Sequence, residues 1–353
     1  MFNISDYNFN LPKKLIAQQP INNKEDTKMM VFDCNQQMIH QKISDIINYI
    51  NKDDVVIFND VKVIKAKLSG IINNKNSKLE VNLDQEISCK ENIISWQALC
   101  KPAKKIKDQD VIYFSDNFYA TIKQKLEDGF IILEFPYDKK TFFDKINQFG
   151  EIPLPPYIKR VKNDKNDQKN YQTIYAKNGS AVAAPTAGLH FNKKLLSQIK
   201  NKGAKICYVT LNVGAGTFLP VRCDKITDHK MHKEYYEISP KTATLINNAK
   251  SNNKKIIAIG TTTVRAIESS INSKNQIIPK IDNTEIFIYP SYKFKIIDIL
   301  LTNFHLPKST LLMLVSAFIG KNNTDKLYQC AIDNNYRFFS YGDCSLLFKK
   351  NNE

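Results

Sequence analysis

The run Val55-Val56-Ile57-Phe58 ends in the polar pair Asn59-Asp60. Four consecutive apolar residues without polar alternation describe a strand buried on both faces, and the pair that follows is delivered to a sheet edge. Downstream the pattern changes. Between about residues 62 and 135, short segments at 78–83, 93–99, 111–114, 118–122 and 130–135 follow one another between Asn, Lys, Asp and Gly. Short strands at close spacing suggest a small antiparallel barrel or sandwich. Residues 141–149 then read as a helix ended by Gly150, and Pro153-Leu154-Pro155-Pro156 as a stiff connection, so a domain boundary is expected there.

Beyond that point strands and helices alternate. A helix at 191–202 is closed by Gly203, and a core strand follows at 204–213. Ser239 caps a helix to 250, 254–260 is a strand and 262–271 a helix; 285–289 and 294–301 resemble strands, 309–319 and 325–334 helices, and 345–348 a last strand. The expectation is an α/β fold: a mixed, largely parallel sheet with helices in a discontinuous main domain (1–61 and 151–353), plus an inserted small antiparallel β-barrel domain (62–150).

Composition narrows the class of protein. The chain has 353 residues, 42% of them hydrophobic, which excludes a disordered tail. Lys and Arg number 51 against 35 Asp and Glu, for a net charge of +16. Only Arg160, Arg222, Arg265 and Arg337 are arginines, so lysine supplies nearly all of the positive charge. That pattern fits either an electrostatic footprint for nucleic acid or compositional drift. Seven Cys without a Cys-x-x-Cys pair form neither a disulfide framework nor a zinc site, which points to a reducing compartment. The N-terminus lacks the basic start and apolar run of a secretory signal, and no apolar stretch reaches membrane-spanning length. A cytoplasmic protein, expected to be a monomer, follows.

Six segments carry candidate chemistry. Pro185-Thr186-Ala187-Gly188-Leu189-His190 precedes a helix, and its small residues allow backbone N–H groups close to a ligand; an ordinary tight turn with a satisfied histidine is the alternative. Val213-Gly214-Ala215-Gly216-Thr217-Phe218, followed by Arg222, can wrap a nucleoside but lacks the third Gly of the dinucleotide fingerprint. His229-Lys230-Met231-His232-Lys233-Glu234 would place two imidazoles on one face if helical, for proton transfer, metal binding or a structural role; no third metal ligand is identifiable. Gly260-Thr261-Thr262-Thr263-Val264-Arg265 and Thr302-Asn303-Phe304-His305 lie where strands end, the usual place for ligands in open α/β sheets. Tyr336-Arg337-Phe338-Phe339-Ser340-Tyr341-Gly342-Asp343 combines an arginine, a carboxylate and aromatics. Each arginine lies in or beside a Gly-, Pro- or His-rich segment, where a planar fork of donors has uses that Lys cannot meet.

With these residues the sequence resembles the S-adenosylmethionine:tRNA ribosyltransferase-isomerases of queuosine biosynthesis. The resemblance also draws on Leu11-Pro12, Leu15-Ile16-Ala17-Gln18, Phe58-Asn59-Asp60, 153–157 and 301–317, and spans nearly the whole chain. Asn212 stands where the family usually has His, Lys65 and Lys67 where it has Pro and Arg, and Ser291 where it has Gly. The resemblance implies transfer and isomerisation of the ribosyl group of S-adenosylmethionine, a co-substrate, onto the 7-aminomethyl group of a 7-deazaguanine at the tRNA wobble position. Epoxyqueuosine, adenine and methionine are the products.

On this footing His190, His232 and His305 are the proton-transfer candidates, with Asp343 or Glu234 orienting them. Arg265 and Arg337 would contact carboxylate or phosphate. Thr186, Gly188, Gly214, Gly216, Thr217, Arg222, Thr261, Thr262, Asn303 and Tyr341 would complete the substrate pocket. No metal and no prosthetic group are required, since each step is proton transfer or displacement. Lysines such as those at 101–107 are candidates for the anticodon arm, or solvated turns. The rival readings are an S-adenosylmethionine-dependent RNA methyltransferase, a non-catalytic RNA-binding protein, and a metal hydrolase built on His229 and His232.

Overall fold

The computed structural model describes residues 3–72, 78–159, 166–214, 221 and 223–350. Its main body is a nine-stranded sheet in the order Lys280–Thr284, Glu234–Ile238, Lys205–Leu211, Val55–Asn59, Ile256–Ile259, Ile299–Asn303, Cys344–Phe348, Lys28–Phe32 and Met38–Lys42. Val55–Asn59 lies in the middle and is buried at every position, as its apolar run requires. It pairs in parallel with Lys205–Leu211 on one side and Ile256–Ile259 on the other, and Ile256–Ile259 pairs in parallel with Ile299–Asn303. Parallel pairing is thus concentrated at the centre. Cys344–Phe348 runs antiparallel to Ile299–Asn303, and Glu234–Ile238 antiparallel to Lys205–Leu211.

Helices cover this sheet, and their starts follow from local chemistry. Asn192, Ser239 and Ser309 accept backbone N–H bonds at the heads of Lys193–Asn201, Pro240–Ser251 and Thr310–Ile319. Two expected strands are displaced. Residues 285–289 and 294–297 are not strands; the ladder forms at Lys280–Thr284 and Ile299–Asn303 instead. For the second of these the cause is Glu268, whose buried carboxylate accepts the N–H groups of Lys295 (3.2 Å), Ile296 (3.2 Å) and Ile297 (3.4 Å) and so removes them from sheet pairing. The hairpin of Lys28–Phe32 and Met38–Lys42 adds two strands that precede Val55. No helix is long and apolar enough to cross a membrane among the described residues.

Strands Lys67–Ile72, Lys78–Lys90, Ile93–Lys101, Val111–Ser115, Phe118–Lys125 and Phe130–Phe135 close into an antiparallel barrel. Its interior alternates with its exterior along each strand and is filled by Leu68, Val81, Trp96, Phe118 and Phe135. Helix Lys139–Phe149, capped by Asp138, packs Phe142 against Trp96 and Phe135.

Candidate active site

The sheet's polarity gathers the sequence segments. The C-terminal ends of Lys205–Leu211, Val55–Asn59, Ile256–Ile259 and Ile299–Asn303 share one edge, and the antiparallel strands Cys344–Phe348 and Glu234–Ile238 begin there. Gly214, Asn59, Gly260, Asn303, Asp343 and Glu234 consequently lie along a single rim. Asn59, which the reading of motifs passed over, ties the rim together. Its amide accepts the Leu211 and Val61 N–H groups (both 3.1 Å) and donates to the Leu211 carbonyl (3.1 Å) and the Thr262 hydroxyl (3.3 Å). Gly260 enters helix Thr261–Glu268 at a φ of +92°, the left-handed region that favours glycine, and Ala187 packs against it.

At one end of the rim stands a buried ion pair. Glu234 and Arg265 are each about 5% exposed, and the Arg265 Nη1 donates to Glu234 Oε2. The other carboxylate oxygen accepts the Gly214 N–H at 3.2 Å, and Arg265 Nε donates to the Ile286 carbonyl at 3.3 Å. Arg265 Nη2 is buried without a partner among the described residues. The barrel reaches this end too: Asp84 Oδ1 would lie 2.5 Å from a side-chain carbon at Gly214, so only glycine admits that approach.

Toward the other end, His190 and Asn303 are both buried, and Asn303 donates to the Phe339 carbonyl at 2.9 Å. Phe339 holds a φ of +73°, a strained conformation for an aromatic residue and one maintained only by its surroundings. Among the described residues, His190 Nε2 and Asn303 Oδ1 have no hydrogen-bond partner of good geometry, although the two side chains lie close enough for Asn303 to favour the charged imidazole. Burial pushes the His190 imidazole down to about 3, against the opposing influence of Asn303 and with the charges of Lys24 and Arg337 adding to it. Asp343, 2% exposed, accepts the Arg337 N–H (2.8 Å), the Arg337 Nη2 (3.2 Å) and the Lys28 N–H (3.2 Å).

Among the described residues the carboxylates therefore hold arginines where histidines were expected. His305 turns inward, with Nε2 2.9 Å from the Thr302 hydroxyl, and burial lowers it to about 3. Residues 229–233 are not helical: His229 packs on Phe287, while His232 is exposed and packs on Phe130 of the barrel. No group of three His, Cys, Asp or Glu side chains is placed to hold a metal among the described residues. Thr261 and Tyr341 are buried, Thr186 half-buried, and Gly188 sits against the Tyr175 hydroxyl. Asn212, at the family's usual His, accepts the Ser180 N–H at 3.1 Å. Gly216, Thr217 and Arg222, like Arg160, lie outside the described residues.

The profile of the family described as "Queuosine biosynthesis protein" matches residues 4–347. This chain belongs to that family. Within it, the S-adenosylmethionine:tRNA ribosyltransferase-isomerase of Rickettsia bellii is 45% identical over 353 residues, covering 98% of this chain and 99% of that protein. The enzyme of the same name from Finegoldia magna is 45% identical over 347 residues, with 98% of each chain covered. The crystal structure of S-adenosylmethionine tRNA ribosyltransferase from Thermotoga maritima is similar at 31% identity and a TM-score of 0.56, covering 97% of this chain and all of that one. The family's fold accordingly combines the mixed sheet with the closed barrel seen here.

Proposed function

We propose that this chain transfers and isomerises the ribosyl group of S-adenosylmethionine onto the 7-aminomethyl group of a 7-deazaguanine at the tRNA wobble position, giving epoxyqueuosine with release of adenine and methionine. The observation that carries the reading is identity of 45% along nearly the full length to relatives named for this activity. The reaction belongs in the cytoplasm, with the protein acting as a monomer.

The chemistry asks for three things. A sulfonium acidifies the adjacent C5′ hydrogens, so a neutral base must reach them; departing adenine needs a proton; the attacking amine must be unprotonated. His190, uncharged at neutral pH and beside Asn303, is suited to accept a proton or a hydrogen bond, and Asn303 Oδ1 to accept one from a substrate N–H. The spare Nη2 of Arg265 is suited to the carboxylate of the methionine portion, with Glu234 holding the guanidinium in place. Arg337, its side chain 30% exposed and braced by Asp343, is suited to a phosphate of the anticodon arm. His232 faces solvent beside the barrel and is the candidate proton donor, while His305 supports the rim from within.

The test is incubation with S-adenosylmethionine and an anticodon stem-loop carrying the aminomethyl-deazaguanine, with products resolved by mass spectrometry. Adenine and methionine are expected in step with modified RNA; S-adenosylhomocysteine in their place would overturn the reading. Arg265→Lys should raise KM for S-adenosylmethionine at least tenfold. If His190→Ala, His232→Ala and His305→Ala each retained turnover within a few-fold of the unaltered enzyme, the histidine assignment would fail.

A further inference from the structure

We propose a second anion site, on the sheet edge opposite the candidate active site, that takes a phosphate-type oxyanion. Lys349 and Lys350 follow the C-terminal end of Cys344–Phe348, whose Phe348 lies opposite Ile299 at the start of its antiparallel neighbour. Beside them is a cavity of about 160 Å³ lined in part by Ser291, Ser316, Lys321, Lys349 and Lys350. At roughly 30 Å³ for each water, that volume accommodates a tetrahedral oxyanion with part of its hydration.

Two independent features point to an anion, and a third marks the cavity wall. Helix Lys321–Asp333 begins at the cavity with Gly320 as its N-cap, so no side chain caps it and no acidic residue lies in its first turn. Its positive end is open to a ligand. Ser316, part of the cavity lining and only 1% exposed, carries a hydroxyl with no hydrogen-bond partner among the described residues. Ser291 holds a φ of +93° after Pro290 in a turn closed by the Tyr292 N–H to the Tyr289 carbonyl at 3.0 Å. Such a turn favours glycine at that position, so the serine is carried at a conformational cost.

The carboxylates nearby are already engaged. Asp325 pairs with Lys321 at 2.6 Å, Asp298 with Lys250 at 3.2 Å and more loosely with Lys349 at 3.9 Å, and Glu268 accepts the Tyr292 hydroxyl at 3.0 Å. Lys350 is exposed and has no ion pair among the described residues, which leaves the cavity with a positive excess.

The ligand is either free inorganic phosphate or a backbone phosphate of the RNA, and one experiment separates them. Calorimetric titration of the whole protein with inorganic phosphate, at fixed ionic strength in a phosphate-free buffer, is run beside RNA-affinity measurements. Saturable phosphate binding that falls at least tenfold in Lys321→Ala/Lys350→Ala supports the site with free phosphate as ligand. Absence of phosphate binding, but a loss of RNA affinity in that variant greater than in a Lys200→Ala/Lys241→Ala control, supports it with the RNA backbone as ligand. Ser291→Gly should melt at a higher temperature yet bind the ligand a few-fold more weakly, a combination that a purely structural serine would not produce. Phosphate binding indifferent to the double variant, or neither phosphate binding nor selective loss of RNA affinity, overturns the proposal. Adenine release by the unaltered enzyme is independent of all these outcomes.

Discussion

Deprived of water, an imidazole keeps its neutral form, and His190 and His305 are both in that position. Above about pH 6.5 neither folded nor unfolded chain protonates them, so they have no effect on the pH dependence. As the pH falls, the unfolded chain takes up protons near 6.5 while the folded chain resists until about 3. Stability is therefore lost across that window, by up to about 1.4 kcal/mol per pH unit for each histidine. The expected outcome is that His305→Gln flattens the fall in melting temperature between pH 6 and 4 relative to the unaltered chain; parallel curves would refute the assignment. The sequence indicated which histidines stand at strand ends. It carried no sign that two of them lose their solvent, because burial is set by neighbours remote along the chain. Arg265 and Arg337 each donate one guanidinium N–H to a protein carboxylate at the rim, a pairing that their sequence neighbourhoods did not specify.

Element boundaries show what local pattern can and cannot convey. Helix Thr261–Glu268 and strand Val55–Asn59 follow from short-range signals, and both lie within three residues of where periodicity puts them. The segment from residue 294 reads as strand by its β-branched and aromatic content, yet one carboxylate at the end of a helix takes the N–H groups of residues 295–297. No local window contains that competitor. Burial raises the Glu268 carboxyl above its ordinary value, and the N–H and hydroxyl donors around it oppose the shift. Glu268→Ala would leave several buried donors without acceptors, at about 1–3 kcal/mol for each one left unsatisfied. Chemical denaturation should show a loss of at least 2 kcal/mol, with faster amide exchange at residues 295–297; unchanged protection there would count against the carboxylate as their acceptor. Asn212 makes the same point at the rim, since its bond to Ser180 joins two segments far apart in sequence.

At the scale of the molecule, the alternation of strand and helix and the run of short strands together implied a sheet interrupted by a barrel, and both bodies are present. What spacing alone could not convey was the strand order. Cys344–Phe348 inserts between Ile299–Asn303 and Lys28–Phe32, so contacts linking the earliest and latest strands complete the sheet. Lys28 donates its N–H to Asp343 across that junction. Removal of residues 344–353 should lower soluble yield severalfold and abolish cooperative unfolding, measured by fractionation and thermal melts; a soluble, cooperatively melting product would show that the central sheet is independent of that strand.

The same placement bears on how the protein is made. A ribosome releases the chain from its N-terminus, and segments begin to fold as they emerge. The hairpin at Lys28–Phe32 and Met38–Lys42 appears early, but one side of Lys28–Phe32 has no neighbour until synthesis has passed Phe348. Through that interval the nascent chain carries an unpaired strand edge, the feature by which partly made proteins stick to one another. Translation speed and chaperone occupancy should therefore govern yield more than the final stability does. A polypeptide whose synthesis stalls before Cys344 also lacks the strand whose pairing sets Lys28 beside Asp343.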